Sequence, residues 1–200
     1  LLKTLEEPPA HMVFVLTAEN AYDLLPTIRS RAVSLPLHPL GAAEMQGFVA
    51  SRTDLDQPAR RLALAGGRPG VALRFDLEAY DKRRTAMLAL LRVGARLQPF
   101  SAWVRFAESV SASKSEKLES YLEVLYFLLS DLLVLSVGGP RPLQNPDIDA
   151  DLRKIATAVP FRWIERGVRQ VDELSLLLRR NIQKGLALDA LVMDLRRHAA

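Results

Sequence analysis

The 200-residue sequence has no cysteine, which excludes a disulfide framework, a thiolate nucleophile and a cysteine zinc site. Its three histidines, His11, His38 and His198, are far apart and show no ligand spacing, so no metal site is expected. Runs of like charge stop at a few residues, as in Lys82-Arg83-Arg84, so there is no basic or acidic tail. No G-x-x-x-x-G-K-[ST] loop and no acidic Mg²⁺-binding strand end is present, so no nucleotide or other cofactor is expected to be held by these residues. There is no signal peptide, no repeat and no low-complexity segment. The longest apolar stretch, around 122–137, is interrupted by Ser130 and Asp131 and reads as too short to span a bilayer. A cytoplasmic protein without membrane contact is the default. The chain opens without Met, inside a helical pattern (Leu1, Leu2, Leu5) that ends at Pro8-Pro9, and reads as a fragment of a longer protein.

What is present is an ordinary globular balance, 49% hydrophobic and 25% charged, enough for one domain or a few small ones. The net charge of +4 and a pI near 9.6 permit contact with nucleic acid without requiring it. The stretch around which the chain is organised is Leu24-Leu25-Pro26-Thr27-Ile28-Arg29-Ser30-Arg31-Ala32. An apolar run at 12–17 and a polar turn at 18–20 precede it. Pro26 suits the first turn of a short helix, because its φ is already fixed and its missing N–H would be unpaired there. Arg29 and Arg31 fall at the helix C-terminus, which favours cations. Val33, Leu35 and Leu37 alternate with Ser34 and Pro36, the pattern of a strand with one buried face. An arginine held between two strands can reach a neighbour's phosphate, and its planar five-donor guanidinium stays charged.

At these residues the chain resembles bacterial clamp loaders of the AAA+ class. The likeness rests on Leu1-Leu2-Lys3-Thr4-Leu5-Glu6-Glu7-Pro8-Pro9, on 14–20 and on 24–31. It is dense over the first forty residues, looser through the middle, and returns from Arg180-Asn181-Ile182 to Leu195. Ser30-Arg31 matches the family's Ser-Arg-Cys motif, with Ala32 standing where cysteine is usual. The resemblance implies that Arg31 is an arginine finger acting on ATP bound by the adjacent subunit. Thr27 and Ser30 belong to the supporting motif, and Thr17 stands at the first sensor position. ATP-binding members carry a second sensor arginine two residues before an Ala-Leu pair; here Gly70 holds that place before Ala72-Leu73, and Arg68 lies on the far side of Pro69.

The fold class that follows is mainly α, with three parts. Residues 1–38 are the C-terminal remnant of an AAA+ α/β domain, reading helix, strand, short helix, strand. Residues 39–81 form a small helical lid, broken at Gly66-Gly67-Arg68-Pro69-Gly70. Residues 82–200 form an antiparallel bundle of about five helices, the collar of the clamp-loader family. Its apolar stripes include Met87, Leu88, Leu90, Leu91 and Val93; Trp103, Phe106 and Val110; and Leu118, Leu122, Leu125, Leu129, Leu132 and Leu133. Ser115 is a candidate cap for the third bundle helix.

Other chemistry is thin. Asp131 among leucines could be an acid of raised pKa, but pairing with an arginine or facing solvent is the commoner fate of such a carboxylate. Glu6-Glu7 as a metal pair fails because adjacent helical residues point about 100° apart. Arg83-Arg84, Arg179-Arg180 and Arg196-Arg197 suit a solvated face or a subunit contact better than DNA. The resemblance implies a non-catalytic stator of the bacterial DNA polymerase III clamp loader. Its partners would be the gamma/tau and delta subunits, with the sliding clamp and primed DNA met through the assembly. Two other readings stay open: an ATP-hydrolysing gamma/tau-like subunit lacking its phosphate loop, and a helical adaptor without an ATP-linked role. The 200 residues alone should give no saturable, competable binding of a fluorescent ATP analogue below about 100 μM, which would correspond to roughly 5.5 kcal/mol.

Overall fold

The computed structural model describes residues 4, 5, 7, 9, 11–52, 54–112, 116–177 and 183–199. It divides into two compact units, Leu1–Pro39 and Leu40–Ala200.

In the first unit the described backbone is helical at Thr4 and Leu5, turns as a 3₁₀ helix at Ala21–Asp23 and forms one four-residue helix, α1 (Pro26–Arg29). The two strands expected at 12–17 and 33–37 do not form: both segments are irregular and largely exposed, with Val33, Leu35 and Leu37 at 89%, 81% and 96% of full exposure. The alternation is real, but a strand needs a ladder partner and a face to cover, and an isolated pair supplies neither. The expected helix end at Pro8-Pro9 and the Glu6-Glu7 pair lie partly outside the described residues, and Glu7 itself is exposed.

The second unit is helical throughout its described elements. Helices α2 (Ala42–Ala50), α3 (Pro58–Ala65) and α4 (Pro69–Arg74) gather around a small core of Met45, Val49, Ala65 and Ala72. Glu44 reaches back to accept the Gly41 N–H at 2.8 Å, half of a capping box. Gly66 and Gly67 take φ of +56° and +78°, a left-handed helix stop that only glycine adopts without strain. Arg61 is 8% exposed and ties this small layer together. Its guanidinium donates to the Ala72 and Phe75 carbonyls at 3.1 and 2.8 Å and to the Asp56 carboxylate at 2.5 Å.

The bundle comprises α5 (Leu77–Gly94), α6 (Ser101–Ala112), α7 (Leu118–Val137), α8 (Asp149–Ala158), α9 (Phe161–Leu177) and α10 (Lys184–Arg197), six helices among the described residues, close to the expected five. Helix α5 starts five residues before the expected boundary at Lys82, because Asp76 caps it by accepting the Ala79 N–H at 3.0 Å. Lys117, not Ser115, is the residue preceding α7, and it makes no side-chain cap; Ser115 lies outside the described residues. Gly138, at φ +64°, ends α7. Leu125, Leu128, Leu129 and Leu132 are fully buried, and α7 packs on α5, α8 and α9. By length and composition alone α7 could cross a membrane, contrary to the reading of 122–137 as too short, but half of it is buried in the bundle. Three glycines allow close approaches, the tightest being Gly185 of α10, where a Cβ would run into the Ser111 hydroxyl of α6. A Cβ at Gly167 of α9 would meet Leu129 at 3.0 Å, and one at Gly94 of α5 would meet Leu195 at 3.0 Å. Trp103 and Trp163 are buried whole, their indole N–H groups donating to Asp189 at 2.6 Å and to the Leu195 carbonyl at 2.8 Å.

Asp131 is not solvated, and among the described residues it makes no salt bridge to an arginine, although the Arg141 charge lies near enough to favour its ionised form. It is 1% exposed and accepts the N–H of Gln144 (2.7 Å), the N–H of Asn145 (2.9 Å) and the Asn145 side-chain amide (2.9 Å). Burial pushes its carboxyl above the usual carboxylate range, and the Asn145 and Gln144 donors pull it back. Asn145 in turn accepts from the Tyr80 hydroxyl at 2.7 Å and from Arg84 at 3.1 Å. Arg84 also pairs with Asp81 (3.0 Å) and Asp147 (2.7 Å), and Arg60 of α3 forks onto Asp81. One polar network thus joins α3, α5, α7 and the proline-bearing loop before α8.

Leu125→Ala removes a fully buried side chain and should cost about 2–5 kcal/mol in urea unfolding. The network predicts a pH dependence of definite sign. The Arg84 side chain holds Asp147 below the usual carboxylate range, as Arg83 does Glu116 and Arg166 does Asp194. Carboxyls depressed in the folded state stabilise it above their unfolded pKa, about 4, and lose that contribution as pH falls through the lower folded value. Asp131, being raised, acts oppositely: its contribution is present below the unfolded value and is lost as pH rises through the folded one. With three depressed carboxyls against one raised, the urea midpoint should fall between about pH 5 and about pH 2. The deficit of Asp147→Asn relative to the parent, read near pH 7, should shrink over the same interval.

Candidate functional site

The candidate site is built on α1 and the turn before it. Asn20, in extended conformation, accepts the Tyr22 N–H on its Oδ1 at 2.9 Å and so starts the 3₁₀ turn. The Leu24 N–H then closes on the Ala21 carbonyl at 3.3 Å, and Leu25 hands the chain to Pro26 at the first position of α1. The helix is closed by the Arg29 N–H on the Leu25 carbonyl at 3.1 Å and the Ser30 N–H on the Pro26 carbonyl at 2.9 Å. Ser30 remains right-handed helical, so Arg31 leaves along the same turn, its N–H on the Ile28 carbonyl at 3.1 Å.

Three of the four expected site residues meet at the end of this helix. The Thr27 carbonyl accepts from the Ser30 hydroxyl at 3.2 Å and from Arg31 Nη1 at 3.0 Å, and Arg31 Nη1 also lies 3.4 Å from Ser30 Oγ. These bonds fix the direction in which the guanidinium leaves the helix, and all three side chains are exposed. A planar cation presented this way can donate to a phosphate or carboxylate outside the chain. Thr17 is exposed in the irregular segment at 12–17, and among the described residues no hydrogen bond joins it to Thr27, Ser30 or Arg31. Arg29 does not join the group: its guanidinium lies over the Tyr22 ring, 4.6 Å from the centroid.

The second sensor position is open. A Cβ on Gly70 would meet nothing within 4 Å, and nearby Arg68 is turned back to donate to the Ala65 carbonyl at 3.2 Å. The paired arginines have structural work. Arg83 forks onto Glu116 at 2.5 and 3.2 Å, and Arg84 belongs to the Asn145 network. Arg196 caps the end of α5 through the Val93 and Gln98 carbonyls at 2.9 and 3.0 Å, while Arg197 is exposed. Arg179-Arg180 and Asn181-Ile182 lie outside the described residues. Among the described residues no cluster of three His, Asp or Glu could hold a metal. The sequence reading passed over Arg61. Its available signal was a charged residue three and four positions before Leu64 and Ala65, on the apolar face of α3.

The family described as DNA polymerase III, delta subunit, matches residues 1–41, the part that carries α1 and Arg31. The chain is 31% identical over 159 residues to DNA polymerase III subunit delta' of Escherichia coli (strain K12), a match covering 78% of this chain and 45% of that protein. It is 37% identical over 92 residues to DNA polymerase III subunit delta' of Pseudomonas aeruginosa, covering 44% of this chain and 28% of that protein. The chain thus spans less than half the length of these relatives. Over 78% of its length this chain is delta-prime-like, and the family match places residues 1–41 within that likeness.

Proposed function

We propose that the protein is a stator subunit of the bacterial DNA polymerase III clamp loader and supplies Arg31 to the ATP site of the neighbouring subunit. The reading is carried by the Thr27–Ser30–Arg31 arrangement, which fixes an exposed arginine at the end of a proline-initiated helix inside the segment matched by the family. The neighbour is a gamma or tau ATPase, and the delta subunit completes the set. The helical bundle joins their collar, and the assembly loads a sliding clamp onto primed DNA in the cytoplasm. The protein's own lid does not close on nucleotide, because the sensor position is a glycine facing open space. That observation favours the stator over an ATP-hydrolysing subunit of the same assembly.

In phosphoryl transfer the negative charge of the γ-phosphoryl group is spread over its oxygens, and an arginine from a neighbouring chain stabilises it. Arg31 does this as a fork, with its direction set from below by the Thr27 carbonyl. The full-length protein, assembled with its clamp-loader partners, should show DNA-stimulated ATP hydrolysis that falls in Arg31→Ala by as much as about 10³–10⁵ at the shared site. Arg31→Lys should rescue little, because a point charge cannot reproduce the planar fork. Assembly and thermal stability should be unchanged, since an exposed arginine contributes little to the fold. Wild-type turnover and clamp loading by both assembled variants would reject the assignment.

A further inference from the structure

We infer that Tyr22 is a positioning residue for Arg31, acting through the Arg29 guanidinium that lies over its ring; this rests on the reading of Arg31 given above. Tyr22 is 78% exposed, so its ring is not spent on the core. Its backbone is nevertheless fixed, by the Asn20 cap on one side and the 3₁₀ turn on the other. Arg29 Cζ stands 4.6 Å from the ring centroid, within the range of a cation over an aromatic face.

The consequence runs along α1. A four-residue helix has a single turn of hydrogen bonds and cannot hold itself together by cooperativity. No residue of α1 is buried, so packing does not secure its last turn. Arg29 is the residue of that last turn, and the Thr27 carbonyl that steers both Ser30 and Arg31 lies within the same turn. Anchoring Arg29 to the ring clamps the turn from outside. It also draws the Arg29 charge onto the Tyr22 face. An exposed cation–aromatic contact shifts such an equilibrium by about two- to five-fold.

The experiment uses the full-length protein assembled with its clamp-loader partners, with ATP turnover measured on primed DNA and clamp. Tyr22→Leu keeps an apolar cover and removes the π face. It should lower kcat about two- to five-fold, leave KM for ATP unchanged because the nucleotide sits on the neighbour, and leave the melting temperature unchanged. Tyr22→Phe keeps the face and should turn over as the parent does. In the unassembled full-length protein, the Arg29 side-chain N–H resonance should be displaced by the ring in the parent and in Tyr22→Phe, and should return to its solvent value in Tyr22→Leu. Wild-type kcat in Tyr22→Leu, alongside a defective Arg31→Ala, overturns this inference alone. Wild-type turnover in Arg31→Ala overturns the finger reading and this inference with it. Equal loss in Tyr22→Phe and Tyr22→Leu also overturns it, since the hydroxyl rather than the ring would then carry the effect.

Discussion

The removal of α7 from water is the constraint on which the helical unit depends. Its leucines present faces to α5, α8 and α9 at once, so each neighbour is positioned by what it covers. Non-directional burial of this kind would tolerate several helix arrangements. The choice among them is narrowed by contact too close for side chains on both sides: Gly167 lets α9 settle on Leu129, and Gly94 lets α10 settle on α5. The tryptophans add direction, because each buried indole must find an acceptor, and each finds one on α10.

The small helical layer and the bundle share an apolar contact through Leu64 and are joined as well by a different kind of force. Arg60, Asp81, Arg84 and Asp147 form a chain of ion pairs reaching from α3 to the loop before α8, and Asp131 anchors that loop from inside. An apolar seam would be indifferent to ionic strength, whereas this partly exposed one is screened by salt. Asp131 has a stricter role: three donors converge on one carboxylate, and an apolar replacement would strand them in the interior.

The helices were legible in the sequence because their signals are local. The 3.6-residue apolar spacing, Gly138 and the Gly66-Gly67 pair mark elements that the structure also draws, within a few residues at each end. The strands were misread because alternation at 33–37 reports only what the segment could bury, whereas pairing depends on a partner elsewhere. Asp131 and Arg61 were misjudged or passed over for the same reason. Their partners lie 13–14 and 11–14 positions away as well as close by, beyond the reach of helical spacing. The Thr27–Ser30–Arg31 group was recognisable as a motif, but the Tyr22 ring beneath Arg29 was not, because no periodicity relates a turn residue to one seven positions on.

The exposed segments at 12–17 and 33–37 have a consequence for the chain as a material. Each alternates or accumulates β-favouring side chains, and neither has its backbone engaged in a ladder among the described residues. Such segments are templates for strand addition from a second molecule. Pro36 interrupts the second of them and removes one ladder donor, which limits how far a stacked sheet could propagate there. The first, Met12-Val13-Phe14-Val15-Leu16-Thr17, has no such gatekeeper. In concentrated solutions of this 200-residue chain, association should therefore begin at that segment, while the helical bundle remains folded and uninvolved.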